Sequence, residues 1–466
     1  MVFSSHIFIY YFLPLLLLVY YNLPYRGRNL FLTIMSYVFY GWWKPWFVAL
    51  MLASTLINFT SGRIISTPGA SRSRRVGTLT VCVCLNLGLL GFFKYTMFFT
   101  DSLNSLLGAF GAQALPVLRV ALPIGISFFT FQAMSYTIDV YRGDAPPARS
   151  FVDFACFVSV FPQLIAGPIV RYHTVAEQLV WRDHALERFA SGVALFILGF
   201  AKKILLANPM GEVAGAVFGA AAPCALDAWF GVLAYAFQIY FDFCGYSDMA
   251  VGLGRMLGFE FLRNFDAPYR AESITDLWRR WHISLSTFLR DYLYIPLGGN
   301  RKGEARTYIH LAMVMLLGGL WHGAKWTFVA WGAYHGLLLA YERWRGKRSV
   351  YQALPRIARI GITFVLMLFS WVLFRSESLT EAGRYFASMF GLQSGSSFLL
   401  AAELYTPRNL FLMALCALLT MQPVQAFDWA RQRLTPLRSA MLLLLFVSAL
   451  LVMSTQAFNP FLYFRF

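Results

Sequence analysis

Apolar runs recur along the whole chain, separated by short polar stretches. Those near the length a helix needs to cross a ~30 Å hydrocarbon core lie at about 7–21, 29–43, 46–60, 77–99, 117–140, 189–206, 228–250, 308–321, 326–341, 359–374, 409–424 and 439–456. The pattern predicts an all-α, polytopic helical membrane protein with about twelve helices plus re-entrant segments. A single polytopic domain over 1–466 is the simplest organisation, with its core at about 120–345. Residues 151–188 fit least well. There the run Val158–Pro168 is interrupted by Pro162 and Pro168, and proline removes a backbone donor and kinks a helix. Irregular backbone at membrane depth persists only where protein or a water-filled cavity satisfies it. A re-entrant element lining a cavity is expected, with a surface helix pair as the other reading.

Composition agrees with the pattern. Of 466 residues, 58% are hydrophobic and 13% charged, against about 25% charged in a soluble domain; mean hydropathy is +0.57. The net charge of +17 points to a lipid membrane as partner and not to nucleic acid, because basic residues collect in cytoplasmic loops facing anionic lipid. Arg26, Arg28, Arg63, Arg72, Arg74 and Arg75 fall in alternate loops. That alternation puts the N-terminus and C-terminus outside and the basic loops, including 342–359, in the cytoplasm. The run after Ile7 has no Lys or Arg before it and no small-residue cleavage site after it, so a retained first helix is expected. Cys82, Cys84, Cys156, Cys224, Cys244 and Cys416 form no zinc-type or redox-type spacing.

Candidate chemistry concentrates between Asp242 and His322. Segments 308–321 and 326–341 are short, roughly 21–24 Å as helices. The turn Trp321-His322-Gly323 between them is therefore expected to be recessed within the membrane. A histidine at such depth is a functional candidate by default, suited to general-base work; a structural histidine at a helix break is the bland alternative. In Trp278-Arg279-Arg280-Trp281-His282, two arginines could grip a phosphate-bearing carrier through their guanidinium forks. They could equally snorkel beside interfacial tryptophans; both readings stay open. Asp242, Ser247 and Asp248 lie in a mostly apolar helix, where carboxylates pair with arginine or backbone donors, and a structural role is favoured. His6, His173, His184, His310 and His335 show no metal-ligand spacing, and no metal site, nucleophile elbow or phosphate loop is found.

Several stretches together resemble the membrane-bound O-acyltransferase family, in its bacterial alginate O-acetyltransferase-type branch. They are Phe241–Ala250, the Trp278–His282 run, Leu320–Gly323, Leu122–Phe129 leading to Asp139–Gly143, Phe161–Pro168 and the closing Asn459–Phe466. The resemblance implies a ring of helices around a thin centre, with a funnel on each face joined by a tunnel. It implies His322 as the invariant catalytic histidine and His282 as a second one. Arg279, Arg280, Trp278 and Trp281 are expected at the donor, with Asp242, Ser247, Asp248, Trp321 and Asn300 along the tunnel. The implied reaction is O-acetylation of an exported polysaccharide at the bacterial inner membrane. Its donor is acetyl-CoA or another acetyl thioester from the cytoplasm, with no permanently bound cofactor. A periplasmic acetyltransferase partner and a polysaccharide secretion complex are implied with it. The connection 425–438 is shorter than expected for alginate members, which makes cellulose the competing polymer. A transporter of an acyl carrier is the alternative of another class; it should show two corresponding halves, and the hydropathy pattern shows none.

Overall fold

The computed structural model describes residues 1–346, 351–393, 398–456 and Leu462. It is all-α, with no strand among the described residues. Among the described residues, five helices are long and apolar enough to cross a membrane: Trp46–Ile65, Arg72–Ala109, Leu186–Gly219, Arg356–Arg375 and Pro436–Thr455. Helices at Leu13–Asn22, Tyr25–Gly41, Ile126–Arg142, Ala225–Met256, Glu304–His322, Trp326–Trp344 and Pro407–Thr420 occupy the other apolar runs. Apart from Leu462, the closing Asn459–Phe466 motif lies outside the described residues, as does 347–350 of the basic loop.

Two compact units are present, Met1–Gly192 with Ala250–Leu262, and Val193–Met249 with Arg263–Phe466. In the first, buried amides tie three helices together. Asn58 Nδ2 donates to Asn86 Oδ1 at 3.0 Å, and the Thr137 hydroxyl donates to Asn58 Oδ1 at 2.9 Å. Such polar contacts hold helices together where lipid removes the hydrophobic drive. The helix expected over 117–140 begins only at Ile126. Pro116 and Pro123 disfavour helical backbone at the residues before them, and Gly125 adopts φ 75°. A Cβ on Gly125 would lie 2.6 Å from the Leu164 carbonyl, so this start is seated on the proline-broken run. That run forms Phe151–Ser159 and the single turn Phe161–Leu164, and its residues from Phe154 to Val170 are buried.

The second unit carries the histidine cluster. Gly199 and Gly245 let two helices touch backbone to backbone: a Cβ on either would fall 2.4–2.7 Å from the other's carbonyl. This contact brings Lys202 and Lys203, in a π-helical turn, against the Ala225–Met256 helix. Glu304–His322 and Trp326–Trp344 have 19 residues each, about 28 Å, longer than the apolar runs alone suggested. Good helix formers such as Glu304, Ala305 and Arg306 extend the first beyond its apolar stretch. The burial of His322 therefore comes from its neighbours, and not from a short hairpin.

Candidate active site

His322 is the last residue of its helix, closed by Gly323 in extended backbone. Close packing of this helix with Trp326–Trp344 fixes its position: a Cβ on Gly319 would meet the Phe328 carbonyl at 2.3 Å, and one on Gly332 the Met315 carbonyl at 2.4 Å. The imidazole is 6% exposed. Its ring lies 5.1 Å from Trp321, 5.2 Å from Trp331 and 5.3 Å from Phe374 between centroids.

His282 stands 6.3 Å from His322, ring to ring, and is fully buried. It joins two seven-residue helices, Ile274–Arg280 and Ile283–Leu289, and holds φ 44° and ψ 54°. That left-handed backbone costs roughly 1–2 kcal/mol for an L-residue, and persists only where its surroundings hold it. Here they do. The Asn264 carbonyl accepts from Ile283 N–H at 2.9 Å, and Asp266 N–H donates to the Arg280 carbonyl at 3.0 Å. Asn264 Oδ1 lies 3.1 Å from His282 Nδ1. His282 Nε2 is buried without a hydrogen-bond partner among the described residues. Burial first, and then the nearby His322, push the His282 pKa well below the usual histidine value.

The tryptophans flanking the two arginines both turn inward. Trp281 packs on Trp371 at 5.0 Å and Phe265 at 5.1 Å. Trp278 meets Trp331 edge-on at 5.7 Å and His335 at 5.2 Å. The arginines face elsewhere: Arg279 is exposed, and Arg280 grips Asp276 through Nε at 2.9 and 3.0 Å. Asp242 pairs with Lys203 at 2.6 Å and accepts from Leu462 N–H at 2.9 Å. Asp248 pairs with Lys202 at 2.7 Å. Ser247 is buried. Asn300 is exposed, beyond the turn Ile295–Leu297.

The structure thus brings together His322, His282, Trp278, Trp281 and Trp321, and gives Asp242 and Asp248 to ion pairs. It adds Asn264, Trp331, Phe374, Lys202 and Lys203, which the sequence did not single out, and His335, which the sequence had set aside for want of metal-ligand spacing. Two lysines inside the apolar run 189–206 were a readable signal for buried carboxylate partners; Asn264 gave none. Beyond Phe374 and Phe328 lies a cavity of about 20 Å³ bordered by Lys325, Arg375, Ser376, Glu377 and Leu462, room for about one water. Lys325 and Glu377 form an ion pair beside it. No group of three or more metal-ligating side chains occurs among the described residues. Two buried imidazoles walled by aromatic rings can take up and return a proton with bulk water excluded.

Residues 76–381 match the family model of membrane-bound O-acyltransferases. The chain is 44% identical to the Pseudomonas putida protein named "Probable alginate O-acetylase AlgI" and 44% identical to its Azotobacter vinelandii counterpart, each alignment covering 100% of both chains. It is 36% identical to the peptidoglycan O-acetyltransferase of Helicobacter pylori, over 85% of this chain and 81% of that one.

Proposed function

Because this chain belongs to the membrane-bound O-acyltransferase family and is an O-acyltransferase, we propose that it O-acetylates an exported polysaccharide of the alginate type. The acetyl group comes from a cytoplasmic thioester, acetyl-CoA or a similar donor, and crosses the inner membrane. A periplasmic partner transferase passes it on to the polymer. The observation that carries this reading is the pair of buried imidazoles, His322 and His282, with ring centres 6.3 Å apart in an aromatic enclosure.

His322 takes the proton of the acceptor hydroxyl as its oxygen attacks the thioester carbonyl carbon. The new C–O bond forms, the C–S bond breaks, and the departing thiolate recovers the proton from the His322 imidazolium. Aromatic walls keep hydrolytic water from competing. Trp281, next to His282 in the chain, and Trp278, packed on Trp331 and His335, belong to the donor side; exposed Arg279 suits the phosphates of a carrier. Arg280, already bonded to Asp276, supports the strap that carries His282. The names of the full-length relatives favour alginate over cellulose as the polymer, and the Helicobacter relative widens the acceptor class to other cell-envelope glycans.

The test is the acetyl content of the exported polysaccharide in cells expressing His322→Ala, with membrane abundance measured alongside. Lost acetylation at normal abundance is expected. Full acetylation would remove His322 from the chemistry.

A further inference from the structure

Asn264 has no part in the reaction as described, yet its side-chain oxygen is the most heavily used acceptor around the two histidines. It is 2% exposed. Oδ1 accepts from the Ser284 backbone N–H at 3.1 Å and from the Ser284 hydroxyl at 2.9 Å, and lies 3.1 Å from His282 Nδ1. The backbone N–H decides the chemistry, because it can only donate. The amide atom facing it must be the oxygen; the flipped amide would set two donors against each other. An oxygen without a proton accepts from His282 Nδ1 in turn, so Nδ1 must carry the hydrogen. In a neutral imidazole the other nitrogen, Nε2, then holds the lone pair.

We propose that Asn264 is a positioning residue, one that fixes His282 as the Nδ1–H tautomer and makes Nε2 a hydrogen-bond and proton acceptor within the His282–His322 cluster. This deepens the reading of His282 given above and rests on it. It also divides the labour. Neutral His282 cannot protonate the departing thiolate from Nε2, so that proton comes back from His322. His282 instead accepts, either an N–H of the donor's carrier arm or a proton. The same asparagine sets the backbone, since its carbonyl accepts from Ile283 N–H at 2.9 Å directly after the left-handed His282.

Two measurements on the full-length protein test this. In the first, ¹⁵N-histidine-labelled protein in phosphatidylethanolamine–phosphatidylglycerol liposomes is examined by solid-state NMR, with the His282 signals identified by their loss in His282→Gln. A protonated Nδ1 is expected in the wild type and in Asn264→Asp, whose carboxylate also accepts from Nδ1, and a redistribution toward Nε2–H in Asn264→Leu. An Nε2-protonated His282 in the wild type would overturn the proposal. In the second, polysaccharide acetyl content is compared at equal membrane abundance. Asn264→Leu should lose on the order of 10- to 100-fold, by analogy with residues that orient metal-binding histidines, and Asn264→Asp should recover much of it. An unimpaired Asn264→Leu beside an inactive His282→Gln would sink the role of Asn264 alone. Full acetylation in His282→Gln would remove both residues from the reaction, and His282 from the reading beneath.

Discussion

Glu342 closes the start of the helix leading to His282 by accepting the backbone N–H of Thr275 at 2.9 Å. The same carboxylate accepts the Thr275 hydroxyl at 2.6 Å and the Ile274 N–H at 2.8 Å. The first N–H groups of a helix have no partner inside it, and an anion there also meets the positive end of the helix dipole. Glu342 is buried, so its removal leaves those donors stranded. Glu342→Ala should lower stability by about 1.5–3 kcal/mol, read as a lower melting temperature in detergent, and should reduce acetylation. An unchanged melting temperature would mean the cap is dispensable.

Lys203 and Asp242 are 3% and 2% exposed. Removing one member of a buried pair leaves an uncompensated charge and costs about 3–5 kcal/mol. Asp242→Ala should therefore deplete the protein from the membrane, whereas Lys203→Met with Asp242→Leu should restore much of its abundance. If the double variant is as depleted as the single one, the charge itself has a further task.

Gly332→Ala places a methyl against the Met315 carbonyl. Neither helix backbone can yield without separating the pair, so a loss of roughly 1–3 kcal/mol is expected. Gly361, whose Cβ would meet nothing within 4 Å, is the control: Gly361→Ala should be neutral or slightly stabilising. Equal melting temperatures for the two variants would contradict the close packing.

Acid should weaken the fold through His282. In the unfolded chain the ring titrates near 6.5, and in the folded protein well below that. Between these values the unfolded state binds the extra proton, so stability falls as pH drops below about 6.5. His282→Gln should flatten this part of a melting-temperature profile taken from pH 7.5 to 5. A profile identical to wild type would show that His282 does not titrate differently on folding.

The helical, membrane-spanning character was legible because hydrophobic run length alone decides it, and the motif around Trp278–His282 and His322 located the cluster. What stayed hidden depended on contacts distant in sequence. The expected helix over 117–140 failed at Gly125, where packing against the Leu164 carbonyl selects a left-handed turn that an apolar count cannot register. Asp242 and Asp248 were read as structural, yet their lysine partners sit some forty residues earlier and went unnoticed. For Arg280 the sequence leaves a phosphate grip and an interfacial anchor equally open, and its bond to Asp276, one helical turn before it, is a local contact that neither reading includes. Asn264 was invisible because a single asparagine has no pattern; its meaning lies in three donors converging on one oxygen.

The glycine seam between Glu304–His322 and Trp326–Trp344 also bears on motion. Two helices in backbone contact at Gly319, Gly332 and Gly336, joined by a three-residue turn, should move as one stiff lever. His322, Trp331 and His335 are then expected to keep their mutual distances, with Thr275 tied to them through Glu342. Gating is then expected from parts outside this hairpin, such as Phe374 on its own helix. Spin labels on the two arms of the hairpin should report one unchanging distance with and without acetyl-CoA, while a label pair spanning the hairpin and the Arg356–Arg375 helix is where a second distance would emerge.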